Sequence, residues 1–362
     1  MKSWDAIIIG GGIVGLSLAI ELRKHRLSVL IVERAELGCE ASYAAAGMLA
    51  ATDGEIPAAL RAMAIQSAEM YPEFVHELQD ESGVQIDFRE HGTIVVSRNG
   101  EFGTQAEPLS FDRVQSLEPA LNLVRSGQPR CAGSDPLQAA FVPERSVDPR
   151  TLMHALVKAA RHRGVDVASG SRVKGLRTEA GSAVGVQTDK AVYSAAVVIN
   201  SAGAWAGEIA PHKFPVRPVK GQLLALVGGP KLTHVIRGSD VYVVPRSDGR
   251  VVLGSTLEEA GFNKQTDVDT IERLLHAAVA LVPALGQAKR HEAWAGLRPC
   301  TPDNLPLLGP TLIPGYFVAS GHYRDGILLA PATSRALGAA ILQRETGAIS
   351  NFLPDRFYVT DV

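Results

Sequence analysis

The sequence predicts an α/β chain in two interleaved parts, and three observations predict it. An apolar strand, a glycine-rich loop and an apolar helix follow one another between Ala6 and Lys24. Strand and helix patterns of the same kind return near Val147 and again near Tyr316. Between them lie strands that alternate apolar and polar residues, the mark of an antiparallel sheet with one wetter face. The length of 362 residues agrees, since about 150 residues per domain implies two.

The elements follow in order. Ala6 to Ile9 is uninterrupted apolar sequence, so both faces of that strand are covered, as in a parallel sheet. A helix over Leu16 to Lys24 and a second apolar strand over Ser28 to Glu33 complete a βαβ unit. After a small-residue stretch, Ala41 to Ala51, comes a helical segment near Arg61 to Ser82, and then Gly92 to Ser97 reads as a strand of a different sheet. Asp148 and Pro149 start a helix through Ala160 that Gly164 stops, Pro suiting a first turn and Gly a C-terminal cap. Short strands follow around Val165 to Val167, Val173 to Arg177, Val184 to Thr188 and Ala195 to Asn200.

Pro215 to Leu226 crosses back to the antiparallel part, where Val241 to Val244 and Val251 to Gly254 form a hairpin around Ser247-Asp248-Gly249. A helix near Asp269 to Val282, a strand over Tyr316 to Ala319, a turn over Ser320 to Gly326 and a helix from Ile327 to Gln343 end the pattern. This assigns 1–82, 146–216 and 292–362 to a Rossmann-like domain, and 83–145 and 217–291 to an antiparallel α+β domain.

Gly10-x-Gly12-x-x-Gly15 between strand and helix, with Glu33 closing the next strand, is a dinucleotide-binding pattern. The first glycine permits the tight turn, the second lets backbone approach a pyrophosphate, and the third lets the helix pack against the strand. The helix start then offers its positive end to the phosphates, and Glu33 can accept from a ribose. The motif fits FAD and NAD alike.

Composition excludes other classes. With 36 Lys plus Arg against 38 Asp plus Glu, the net charge of -2 leaves no basic footprint for nucleic acid. Hydrophobic residues at 46% disfavour disorder. Cys39, Cys131 and Cys300 stand apart with no metal-ligand spacing, so no disulfide framework and no metal site is expected, and a reducing cytoplasm fits. The uncharged run Ala6 to Ile20 is shorter than the roughly 18 residues a membrane span needs, and no membrane association is expected.

Five segments in order carry a resemblance: Ala6 to Glu33, Ala44 to Leu49, Val197 to Trp205, Trp294 to Pro299 and Gly321 to Pro331. Together they resemble the D-amino-acid oxidase family of flavoproteins, and within it the glycine-oxidising branch of thiamine biosynthesis. The resemblance implies a glutathione-reductase type of FAD-binding domain and noncovalent FAD. Cys300 does not match the offset at which the family's sarcosine-oxidising branch attaches its flavin. Gly10, Gly12, Ile13, Val14 and Gly15 are implied at the pyrophosphate; Glu33, Arg34, Ala41 and Ser42 along the adenosine and phosphate path; Val173 at adenine through its main chain. Ala46, Gly47, Met48 and Gly203, with the turn His322, Tyr323, Arg324, Asp325, Gly326, Ile327 and Leu328, are implied around the flavin. Taken singly, each of these glycines also reads as an ordinary turn residue.

The resemblance further implies an amino acid substrate whose carboxylate is held by Arg298 and Tyr242, with Arg324 as a second arginine near the site. A structural ion pair for Arg298, a core role for Tyr242 and a solvent-facing charge for Arg324 are the alternatives, and Arg246 reads as structural. The implied reaction is hydride transfer from Cα to the flavin, giving an imine, then a 2-oxo acid, ammonia and, with molecular oxygen, hydrogen peroxide. Glycine, sarcosine, D-alanine and D-proline are its substrate class. No histidine base is needed, so His322 is expected to touch the cofactor through its backbone. Leu257 and Cys300 depart from the branch's pattern near the substrate, and Ala51 to Pro57 is expected at the entrance. A dehydrogenase passing electrons to a quinone, and a flavin-bound module without turnover, are the other readings. A homo-oligomer, as a tetramer, is the assembly the resemblance implies.

Overall fold

In the computed structural model, which describes residues 2–100, 102, 105–123, 137–211 and 213–358, the strand Ser3–Ile9 runs parallel to Val192–Asn200 on one side and Val29–Val32 on the other. Cys131 lies outside the described residues. Asp166–Ala168 continues the parallel order beyond Val29–Val32, and Tyr316–Ser320 pairs in parallel with the end of Val192–Asn200. Three antiparallel strands, Ser182–Thr188, Val173–Glu179 and Leu307–Pro310, bring this sheet to eight.

The unbroken apolar runs are explained by what covers them. Ala6, Ile8, Val29 and Ile31 enter a core with the helices Ile13–Lys24, Ala58–Ser82, Pro149–His162 and Gly326–Gln343. Ile7, Ile9, Leu30 and Val32 enter another, with Val173, Val186 and Val198. Each fully buried aliphatic side chain contributes about 1.5–3 kcal/mol of transfer free energy. The helix Pro149–His162 begins where its sequence dictates, with the Asp148 carboxylate accepting from the Arg150 N–H at 3.0 Å, and Gly164 at φ +73° follows its end.

A second eight-stranded sheet runs in the order Lys289–Cys300, Arg217–Val227, Val251–Gly254, Tyr242–Pro245, Val235–Arg237, Thr93–Ser97, Gln138–Val142, Glu107–Leu109. Only the pair Val235–Arg237 with Thr93–Ser97 is parallel. Leu224, Leu226, Val243 and Leu253 pack beneath the helix Val268–Leu281. The opposite face carries Leu223, Val244 and Val252 and packs on Ala46. The period of two thus sends alternate residues to the core and to the site.

One boundary differs from expectation. Lys289–Cys300 pairs with Arg217–Val227 along its whole length, so a division at 292 falls inside a strand of the second sheet. The mixed run of charged, aromatic and small residues before Arg298 hides the strand, because its first residues lie at an exposed sheet edge. A three-stranded sheet of Met48–Leu49, Arg145–Val147 and Phe88–Arg89 lies apart from both large sheets. No helix among the described residues is long and apolar enough to cross a membrane.

Candidate functional site

A cavity of about 570 Å³ is walled by both large sheets, a size ordinary for small-molecule sites. One wall is mostly backbone. Gly10 takes φ +102°, and a Cβ there would sit 2.5 Å from the Ser201 carbonyl oxygen. A Cβ on Gly15 would meet the Gly10 carbonyl oxygen at 2.2 Å, so only glycine lets the helix Ile13–Lys24 start this close to the strand. Gly12 is different, because a Cβ there meets nothing nearer than Ser42 Oγ at 3.4 Å and the residue lines the cavity. The Ile13 N–H donates to Ser42 Oγ at 3.0 Å, tying the helix start to the segment that carries Ala41.

Further along, Ala46, Gly47 and Met48 present a small-residue edge. Gly47 has φ +74°, with the Val147 carbonyl oxygen 1.9 Å from where its Cβ would be. Buried Arg246 clamps this edge, donating to the Ala46 carbonyl at 2.6 Å and to the Val147 carbonyl at 3.1 Å, a structural role as its sequence context suggests.

The other wall is made by side chains. Arg298 donates through Nη1 to the Thr256 carbonyl at 3.0 Å and through Nη2 to Ser255 Oγ at 2.5 Å. Among the described residues no carboxylate pairs with it, and burial pulls its guanidinium below the usual arginine range. Gly221, on the neighbouring strand, leaves its space, since a Cβ there would stand 2.4 Å from both terminal nitrogens. Tyr242 gains room in the same way from Gly254, which it pairs with across the hairpin and whose Cβ would lie 2.6 Å from the phenol oxygen. Behind Arg298 the Gln222 N–H donates to Thr256 Oγ1 at 2.9 Å, while Glu258 accepts from Gln222 Nε2 at 2.9 Å and pairs with buried Lys220 at 3.2 Å.

The two walls meet at the turn before the helix Gly326–Gln343. His322 is buried, its Nε2 lies 3.1 Å from Thr333 Oγ1, and burial lowers its pKa to about 4. It is therefore neutral near pH 7. Tyr323, at φ +48°, donates its backbone N–H to the Pro299 carbonyl at 2.8 Å. Arg324 pairs with Glu55 from the loop of Asp53 to Pro57, and that loop lines the cavity at its rim. The carboxyl of Asp325 is raised to about 6 by burial, against the pull of Arg324.

The cavity thus gathers Gly12, Ile13, Val14, Ala41, Ser42, Ala46, Gly47, Met48, Gly203, Tyr242, Arg298 and the turn His322 to Ile327. Six expected residues do not line it. Gly10 and Gly15 act behind the wall, and Leu328 is buried in the core. Glu33 accepts from the Gly11 N–H at 2.8 Å and the Ala35 N–H at 2.9 Å, which leaves its oxygens further lone pairs. Arg34 lies 3.4 Å over the Trp205 ring and bonds Glu40 at 2.6 Å. Val173 is buried in its strand. Leu257, expected near the substrate, is 57% exposed and does not line the cavity, whereas Ser255 does. Gly221, Gly254, Gly296 and Ser255 carry no site role in the sequence reading, yet they shape the cavity. Their only signal is cross-strand position, which no local spacing reveals.

The backbone cradle at Gly12, a helix start beside it and the small-residue edge at Ala46 to Met48 suit a dinucleotide with a planar ring. Cys39 and Cys300 carry free thiols, and among the described residues no group of His, Cys, Asp and Glu is arranged to hold a metal. Residues 5–340 match the family described as DAO, FAD dependent oxidoreductase. The chain is 34% identical, over 98% of its length, to the bifunctional protein ThiO/ThiG of Trichormus variabilis, of which it covers 55%, about half of that relative. It is 31% identical to a glycine oxidase of Geobacillus kaustophilus, over 95% of this chain and 94% of that one. The crystal structure of glycine oxidase from Geobacillus kaustophilus superimposes with a TM-score of 0.88 at 30% identity, covering 99% of this chain and 100% of that chain.

Proposed function

This chain belongs to the family of FAD-dependent oxidoreductases, with FAD as its cofactor, and on that premise we propose that it oxidises glycine or another small amino acid or amine to the imine. Sarcosine, D-alanine and D-proline belong to the same substrate class. The observation that carries the reading is the convergence of Arg298 and Tyr242 from separate strands into the cavity, with the guanidinium held by the Ser255 hydroxyl, the Thr256 carbonyl and the Tyr242 side chain and, among the described residues, by no carboxylate. A buried arginine without a carboxylate partner is suited to take one from a ligand.

On this reading Arg298 presents its planar donor fork to the substrate carboxylate, and the Tyr242 hydroxyl donates to the same group. Two donors fix the orientation of Cα–H toward the flavin-binding wall. FAD, bound without a covalent link, supplies a two-electron acceptor for the Cα hydride. The helix start at Ile13 would hold the pyrophosphate, Glu33 the ribose and the Val173 main chain the adenine. Ala46 to Met48 and the turn from His322 to Ile327 would flank the ring, with Leu328 behind them in the core. The neutral amine form of the substrate is the one oxidised, and water completes the reaction by hydrolysing the imine to the 2-oxo acid, with release of ammonia from a primary amine, of methylamine from sarcosine, and with ring opening for proline. Molecular oxygen as final acceptor gives hydrogen peroxide. The free thiols Cys39 and Cys300 support a reducing cytoplasm as its place of work.

The test is a titration of the purified yellow protein, oxygen excluded, with glycine, sarcosine, D-alanine and D-proline. Loss of the visible flavin absorbance with at least one of them is expected, and no loss with any of them contradicts the substrate class. Readmitting oxygen then reads the acceptor: rapid return of the colour with peroxide marks an oxidase, whereas slow return hastened by a quinone marks a dehydrogenase.

A further inference from the structure

Two helices that pack against each other each carry a proline in their interior, and each loses a backbone bond there. In Gly326–Gln343, Pro331 has no N–H to offer the Ile327 carbonyl one turn back. In Ala58–Ser82, Pro72 has none for the Ala68 carbonyl. Both acceptors are satisfied from outside their own helix. The Tyr71 hydroxyl donates to the Ile327 carbonyl at 2.5 Å, and Arg145 Nη1 donates to the Ala68 carbonyl at 3.3 Å. The amide just after Pro331, Ala332 N–H, donates to Ser67 Oγ at 3.1 Å.

Tyr71 and Ser67 stand one helical turn apart, on the same face, and both are fully buried. The Tyr71 ring is fixed edge-on by Phe74 at 5.7 Å and stacked by Phe88 at 6.3 Å. Burial pushes its hydroxyl well above the usual phenol range, so it stays a donor throughout the physiological pH range. The segment these bonds hold is the first turn of Gly326–Gln343, whose Gly326 and Ile327 line the cavity. Its amides have no acceptors within the helix and carry the positive end of the helix dipole.

We propose that Tyr71 and Ser67 are positioning residues for the flavin: they fix the proline-severed first turn of Gly326–Gln343 at a set depth in the cavity, so that its amides favour the reduced, more negative flavin over the oxidised one. The inference rests on the assignment of that turn to the flavin ring and not on the identity of the amine. A protein inactive on every amino acid still reports on it.

The experiment is the midpoint potential of the flavin in purified holoenzyme, by equilibration with a reference dye, beside the melting temperature. Tyr71→Phe is expected to weaken the preference for reduced flavin about tenfold, a drop of about 30 mV for a two-electron couple. In a Pro331→Ala background, where a new N–H can serve the Ile327 carbonyl, the same substitution should change that preference less than about threefold, because the hydroxyl then replaces nothing. A lower melting temperature with an unchanged potential overturns the proposal. Should Tyr71→Phe fail to fold, Ser67→Ala is read by the same criteria. Asp325→Asn separates the two levels of the claim, since it removes a negative charge from the start of the turn without touching either bond. If the potential does not rise, the turn is not at the flavin and the assignment falls; if it rises while Tyr71→Phe and Ser67→Ala leave the potential alone, only the positioning role falls.

Discussion

The two walls of the cavity are built from different material. The wall at Gly12 to Val14 and Ala46 to Met48 offers a helix start and a glycine at its centre, so that a ligand can lie against backbone. The wall at Tyr242 and Arg298 offers two long polar side chains, and its glycines, Gly221 and Gly254, clear space for those chains rather than for the ligand. Glycine thus serves opposite purposes on the two sides. At Gly10, Gly15 and Gly47 a Cβ would strike fixed backbone; at Gly221 and Gly254 it would strike the tips of side chains that can move.

That contrast predicts unequal damage. Gly15→Val forces carbon into the 2.2 Å separation from the Gly10 carbonyl and must displace the helix start. Overpacking of this kind costs about 1–3 kcal/mol, so FAD affinity should fall by roughly 100-fold, read as colourless purified protein or by flavin fluorescence. A yellow, fully loaded Gly15→Val protein would break the contrast. Gly221→Ala is the matching change on the other wall. Its methyl meets the Arg298 nitrogens at 2.4 Å and can be relieved by a shifted guanidinium, so flavin content should hold while KM for the amine rises about 10-fold, about 1.4 kcal/mol. Loss of flavin there, or an unchanged KM, would contradict it.

The same contrast explains what the sequence disclosed. Gly10, Gly12 and Gly15 serve a backbone site, and backbone sites are local: strand, loop and helix start are contiguous, so spacing alone exposes them. The apolar runs Ala6 to Ile9 and Val29 to Val32 were equally legible, because a strand covered on both faces leaves no polar residue to mask it. Arg298, Tyr242, Ser255 and Gly221 meet only through pairing between strands far apart in the chain. Arg298 and Tyr242 were reached through family resemblance, whereas the part that Gly221, Gly254 and Ser255 play around them was not. Leu257 shows the risk in the same region, since a position two residues beyond Ser255 points to solvent. The strand Lys289–Cys300 escaped for a related reason, its exposed edge residues breaking the apolar alternation.

Where the walls meet, two groups titrate in opposite senses. Burial raises Asp325 to about 6 from 3.8, so the native state holds its proton after the unfolded chain has released it, and stability falls as pH rises through roughly 4 to 6. Burial lowers His322 to about 4 from 6.5, so the unfolded chain binds more protons over roughly 4 to 6.5, and stability climbs with pH there. The two slopes oppose each other. Asp325→Asn should leave the His322 slope alone, so that the unfolding free energy from urea melts rises between pH 4 and 6.5 by about 3 kcal/mol more than in the parent. Parallel profiles for parent and variant would show that the Asp325 carboxyl is not buried in this way.

The most direct test of the division between a flavin-holding wall and a substrate-holding wall is the glycine concentration that half-bleaches the flavin, oxygen excluded, in the parent protein and in Arg298→Ala. The two walls acting separately predict full flavin content in both proteins and a half-bleaching concentration raised at least about 100-fold by the substitution, about 2.7 kcal/mol, the loss expected when a charged hydrogen-bond partner of a carboxylate is removed. Equal concentrations in the two proteins would remove Arg298 from the substrate, and loss of flavin from Arg298→Ala would show that the walls are not separate.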